Sequence, residues 1–478
     1  MSFIIYDLIL LGIFLIFIGI FLYRNKHNLK REGLLYLYKA EWGIKLINRI
    51  GNKYQKTLKY LSYVSITMGY LLMAGMLYLF GRIIWIYIFH PQIAGLVKVP
   101  PITPLIPYLP QIFKINFLPP FYFIYWVLII AIVAIFHEFA HGIFAAYNKI
   151  RIKKTGFGFF PFFLPIFQAA FVEPDEKQIR REEKKKTFGQ LAILSAGTFF
   201  NVLTAILGFL IMIAFFSLAF SSGGIIFDDY AQGIVGINDI TQINGIAVNN
   251  LNYSGMLDLI NEIGLNNAST REGNYLITKQ LLTFPGSHND ELVSLYLEAP
   301  AIKNGLTGPI IAIDEKQVKN INELSLILSK HSPGDKIIVE SLKDGQKLKK
   351  TITLEEHPIK KGEPWLGVSF MDRSQGGIIN KIFAFLTQFK DPHTYYESGL
   401  GEFGNFIYNL LWWLIIISFS VALCNMLPMG IFDGGRFFYL TILKVTKSEK
   451  AAKIGYKIAT YVLLLLVLLL MIIWAIGL

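Results

Sequence analysis

Six apolar runs limit what this chain can fold into. They lie near residues 3–23, 60–80, 121–147, 188–220, 406–424 and 458–478. A helix needs ~20 such residues to cross the hydrocarbon core of a bilayer. Only 16% of the residues are charged, against roughly a quarter in an ordinary soluble domain. The reading is a polytopic α-helical membrane protein of about six transmembrane helices. The first run lacks a basic leader and a small-residue cleavage site, so it reads as a span rather than a signal peptide. The net charge of +12 comes largely from basic connections at 24–59, 149–186 and 436–457. Lys and Arg favour the cytoplasmic side. With those connections inside, the six spans alternate correctly, and no nucleic-acid partner is needed to explain the charge. The one cysteine, Cys424, excludes an internal disulfide framework and a Cys-rich metal site.

The connections divide the chain. After the first helix (1–23), the basic loop 24–59 has near-helical apolar spacing, which suggests a segment lying on the membrane surface. A second helix and a proline-rich loop fill 60–120. Residues 121–220 hold two helices and, between them, "TGFGFFPFFLPIFQAAFV" with basic residues on both sides. Pro161 and Pro165 argue against a continuous helix there, so a re-entrant, β-hairpin-like segment is expected. Non-helical backbone at membrane depth must be covered by protein or line a cavity. Residues 221–372 form a polar α/β insert, possibly of two units. Pro333-Gly334-Asp335 and Lys343-Asp344-Gly345 mark its turns. Residues 373–440 and 441–478 return to the membrane.

"HEFAH", 137–141, interrupts the third apolar run. Ionisable groups inside a span are expensive and usually functional. Four residues apart, His137 and His141 share one helix face. Two imidazoles so placed can bind one zinc ion, with Glu138 as general base. The plainer reading is a polar contact between helices. A catalytic zinc needs a third protein ligand and keeps one position open. Among the few carboxylates in the apolar runs, Asp433 has the most patterned context, "NMLPMGIFDGGR". Pro428 breaks a helix there, and Gly430, Gly434 and Gly435 permit tight backbone.

Together these residues resemble the site-2 protease family of intramembrane zinc metalloproteases. The matching motifs are His137-Glu138-Phe139-Ala140-His141, Asn425-Met426-Leu427-Pro428 followed by Asp433-Gly434-Gly435, and Gly197 with Asn201 in "SAGTFFN". Gly430 stands where many members have a second proline, and Phe432 where leucine is usual. The resemblance implies Zn2+ held by His137, His141 and Asp433, with Glu138 and Asn425 catalytic. It places Asn201, Gly156, Gly158 and Pro428 near substrate. "APAIKNGLTGPIIAIDEKQVKN" through "SPGDKIIVESLKDG" resembles a PDZ module. The implied partners are transmembrane protein substrates, the lipid bilayer, and a peptide or substrate ectodomain at the PDZ-like insert. The implied location is a prokaryotic plasma membrane, multi-pass, with the active site toward the cytoplasmic half and the insert outside. Three competing readings remain: a catalytically silent PDZ-bearing scaffold, a zinc membrane protease acting on non-transmembrane peptides, and a zinc transporter. The last would need polar residues along several spans, and most spans lack them.

Overall fold

The computed structural model describes the whole chain except residues 1–2, 33–34, 42, 91–99, 101–104, 116–117, 160–167, 176–177, 179–186, 285, 290, 344, 372–386 and 477–478. It divides into two compact units. One comprises Met1–Ala214 with Phe406–Leu478, the other Phe215–Asn405.

In the first unit, helix α1 (Phe3–Arg24) leads into strands β1 (Leu29–Glu32) and β2 (Leu35–Ala40), helix α2 (Ile44–Lys53) and helix α3 (Gln55–Phe89). Helix α4 (Phe123–Tyr147) follows, then β3 (Ile152–Phe159), β4 (Gln168–Pro174) and α5 (Thr187–Ala219). After the second unit come α6 (Gly401–Asn425), α7 (Asp433–Thr446) and α8 (Glu449–Ile476). Among the described residues, all of these helices except α2 and α7 are long and apolar enough to cross a membrane. The most enclosed is α4: 39% of its apolar window is buried, against 11% for α1 and α8. The helix that carries HEFAH is therefore the bundle's centre. Ala192 and Ala196 of α5 meet Ala140 and Phe144 of α4 in one cluster. Small residues let helices approach in lipid, where apolar side chains gain little by leaving the acyl chains.

Both ends of α4 have local causes. No side chain of its own caps the amino end. Instead Asp7 of α1, a buried carboxylate in an otherwise apolar helix, accepts from Phe123 N at 2.6 Å, Ile124 N at 3.0 Å and Tyr108 Oη at 2.7 Å. Those amides lack partners within their own helix. At the carboxyl end, Lys149 takes φ 64°. Its N–H donates to Ala146 O, and Ile150 N–H to Ala145 O. This is a left-handed stop, and it turns the chain into β3.

The strands form one antiparallel sheet in the order β1-β2-β3-β4. Within the segment expected to be re-entrant, β3 and β4 pair antiparallel, and the stretch between them, with Pro161 and Pro165, lies outside the described residues. The basic connection 24–59 contains a short helix, α2, as its near-helical spacing suggests, together with a hairpin and the first turn of α3. The reason for the hairpin is non-local: β2 pairs with β3, as in Leu37 with Gly158 and Lys39 with Gly156. That neighbour is over a hundred residues away in the chain, so helix-like spacing inside the loop gave no sign of it.

In the second unit, two six-stranded sheets occur. One runs in the order 232–236, 292–297, 274–277, 266–270, 240–243 and 246–247. It encloses a core that includes Val235, Ile243, Met256 and Leu295. The other runs 346–353, 336–343, 310–313, 220–225 and 394–398, with 316–317 paired to 310–313. Its core includes Ile225, Ile310, Ile337 and Val339. Each of the two sheets covers a core of its own. The unit is wider than 221–372, because Thr394–Ser398 returns to pair with Phe220–Ile225. The ends of the insert are thus neighbouring antiparallel strands. The 336–343 and 346–353 hairpin turns at Gly345 with φ +77°, where glycine is favoured.

Candidate metal centre

Helix α4 displays His137 and His141 one turn apart, and α7 begins with Asp433. Their ligand atoms all lie within 4.8 Å of one another. His137 Nε2 and His141 Nε2 are 3.0 Å apart, and Asp433 Oδ2 is 3.3 Å and 3.2 Å from them. Bonds of ~2.0–2.1 Å at tetrahedral angles put ligand atoms ~3.3 Å apart.

Local sequence explains how Asp433 reaches the histidines. α6 stops at Asn425, and a buried turn with Pro428 follows. Proline has no N–H to continue a helix. The chain then reverses tightly into α7. A Cβ at Gly434 would fall 2.5 Å from Leu427 O, and one at Gly435 2.6 Å from the Met429 carbonyl carbon. Any side chain at either position would push α7, and Asp433 with it, off the turn. Asn425 itself closes α6, so the turn stands between it and Asp433.

The surroundings fit a metal. His141 Nδ1 lies 2.7 Å from Ile193 O. With the proton on Nδ1, it donates there and leaves the Nε2 lone pair toward Asp433. On His137, Nδ1 meets the Asn201 amide at 2.9 Å through Nδ2, while Asn201 Oδ1 is buried with no partner. Turning the amide over lets Oδ1 accept the His137 Nδ1 proton and frees Nε2 in the same way. Gly197 completes the cradle. A Cβ there would sit 2.7 Å from His137 Nε2 and 2.6 Å from His137 Cε1, and would also overlap His141 Nε2. The open volume beside the nitrogens exists because position 197 has no side chain. Two imidazoles and a carboxylate, with the outer imidazole nitrogens tied off, are the donor set of a catalytic zinc site.

Glu138 is half-buried next to His137, and its Oε2 accepts from Val172 N of β4 at 3.0 Å. The sheet therefore holds the candidate base. Gly156 and Gly158 are placed differently from an open edge. Both lie in β3, with β2 on one side and β4 on the other. The outer strands of the sheet are β1 and β4. Several contributors escaped the sequence reading. Val172 and Ile193 act through backbone atoms, which carry no residue signature. Asp7 was visible as a lone acid in an apolar run, but its target was not.

A search of curated proteins returns no match. The family model for peptidase family M50 matches residues 122–470. That stretch runs from α4 into α8 and contains all three clustered ligands. The chain thus belongs to peptidase family M50, the site-2 protease family of metalloproteases.

Proposed function

We propose that this protein is an intramembrane zinc metalloprotease that hydrolyses peptide bonds within or near the transmembrane helices of other membrane proteins. The reading rests on one observation: His137, His141 and Asp433 bring their ligand atoms within 4.8 Å of one another, both histidines on a helix of membrane-spanning type, with Glu138 alongside. Zinc held by these three residues would supply Lewis acidity and a water nucleophile at neutral pH.

Glu138 is the general base. Its carboxylate takes a proton from the attacking water and returns it to the leaving amide nitrogen. Val172 N–H fixes one carboxylate oxygen while the other stays available. Asn425 is assigned to substrate backbone or the developing oxyanion, and Asn201 to orienting His137. A substrate helix must unwind before its carbonyl can be attacked. The edge of β4 lies against Glu138 and suits an extended peptide added as a further strand. Gly156 and Gly158 would shape the sheet behind that peptide, and Pro428 the turn facing it. The hairpin would dip into the bilayer from the cytoplasmic side, with the insert outside as a PDZ-like reader of substrate ectodomains.

Glu138→Gln tests the proposal, because the amide keeps the shape and loses the basicity. Cleavage of single-span substrates is expected to fall ~10²–10⁴-fold while zinc content stays at the wild-type level. A zinc-loaded variant that cuts at the wild-type rate would refute the mechanism. A protein acting only as a scaffold would be unaffected by the change.

A further inference from the structure

The cleavage chemistry leaves one strongly patterned surface unused. Residues 43–60 contain Lys45, Arg49, Lys53, Lys56 and Lys59 and no acidic residue. The first three recur every four residues, so they form a line along α2. All five are exposed, and none forms an ion pair with a described residue. Like charges at this spacing weaken a helix, and no acidic side chain among the described residues pairs with them. Lys149, just past the end of α4, joins the patch by donating from Nζ to Asn52 Oδ1 at 3.0 Å.

The opposite face of α2 is committed to the helix that carries HEFAH. Ile47 is fully buried with Ala140, Ile143 and Phe144. Gly51 packs so closely that a Cβ would lie 2.7 Å from Ala146 Cβ. One short helix thus has a basic outer face and an inner face seated on α4.

We infer that the outer face of α2 docks on the anionic phospholipid headgroups of the surrounding bilayer and so braces α4 at the membrane surface. Three observations select lipid. The patch stands at the foot of α3, a helix of membrane-spanning length. The apolar residues exposed among the cations are Leu46, Tyr54 and Tyr60, and Tyr60 is 72% exposed. Tyrosine with flanking Lys and Arg is the composition of a water–lipid boundary. A row of cations without an ion-pair partner among the described residues is the arrangement that attracts acidic headgroups.

The test needs no cleavage, so its failure is separable from failure of the protease reading. Full-length protein is placed in phosphatidylcholine vesicles with and without phosphatidylglycerol, and amide hydrogen exchange is followed. Exchange across Ile44–Lys53 is expected to slow roughly tenfold or more in the anionic vesicles and to recover in high salt. The triple variant Lys45→Gln, Arg49→Gln, Lys53→Gln should show the neutral-vesicle rate in both lipids. Exchange across Phe123–Tyr147 in neutral vesicles serves as the check on its fold. A charge-preserving Lys45→Arg, Lys53→Arg variant should keep the response. Equal exchange of wild type in the two lipids overturns the inference, as does a response that survives in the folded triple variant. If the triple variant does not fold, the wild-type salt titration decides, and a lipid effect indifferent to salt overturns the inference.

Discussion

A methyl group at position 197 would overlap the imidazoles of both His137 and His141, although alanine suits a helix better than glycine by ~1 kcal/mol. Local preference and site geometry therefore pull in opposite directions. Gly197→Ala is expected to keep its fold, at a cost of no more than about 1–3 kcal/mol, and to lose zinc and cleavage together. Metal analysis beside a thermal melt checks this, and full zinc occupancy in the variant would place the metal elsewhere. Asn201 acts one shell further out. Removing the partner of a ligating histidine typically costs 10–100-fold in metal affinity or activity. Asn201→Ala is expected to fall in that range when zinc is titrated against a competing chelator. An Asn201 that served only to pack α5 would leave zinc affinity unchanged.

At the scale of elements, the position of α4 depends on parts far from it in sequence. α1 contributes Asp7 to its first turn, α2 packs on its last turns, and β4 holds Glu138. Asp7→Ala removes the acceptor for two amide groups, a buried one at Phe123 and a half-buried one at Ile124. Loss of a helix cap usually costs ~1–2 kcal/mol, and buried unsatisfied donors cost a similar amount each. The expected result is a lower melting temperature and faster exchange at Phe123 and Ile124, with zinc stoichiometry retained. Asp7→Asn should recover part of the loss, because its amide oxygen still accepts. If Asp7→Ala melts with the wild type, the contact contributes nothing net. The sheet obeys the same logic. β3 has neighbours on both sides, so an added substrate strand is assigned to β4.

At the scale of the whole molecule, the chain inserts one compact unit between two membrane helices. The insert begins and ends as paired strands, Phe220–Ile225 and Thr394–Ser398, so a cut inside that pair spares the helices. Excising 226–393 and closing the gap with a short turn is expected to leave zinc binding and cleavage of unfolded test peptides intact. Selection among membrane-protein substrates should change. A folded, zinc-loaded excision variant that cleaves no peptide would show that the insert takes part in hydrolysis.

The sequence alone determined the features set by local chemistry. Six spans were readable because lipid tolerates only long apolar helices. His137, Glu138 and His141 were readable because four-residue spacing on a helix fixes a common face. Asp433 stood out as a carboxylate beside helix-breaking Pro and Gly. Tertiary structure decided whatever depends on distant partners. β2 lies in a loop whose sequence names no partner, and β3, far along the chain, offers it hydrogen bonds. Asp7 is a costly charge until the amino end of α4 is placed against it. Val172 and Ile193 enter the site through backbone atoms that any residue carries. The end of the insert shifted from 372 to 398 because Thr394–Ser398 acquires its partner only on folding. A local pattern reports what a segment can be; pairing and burial between remote segments select which of those states is the native one.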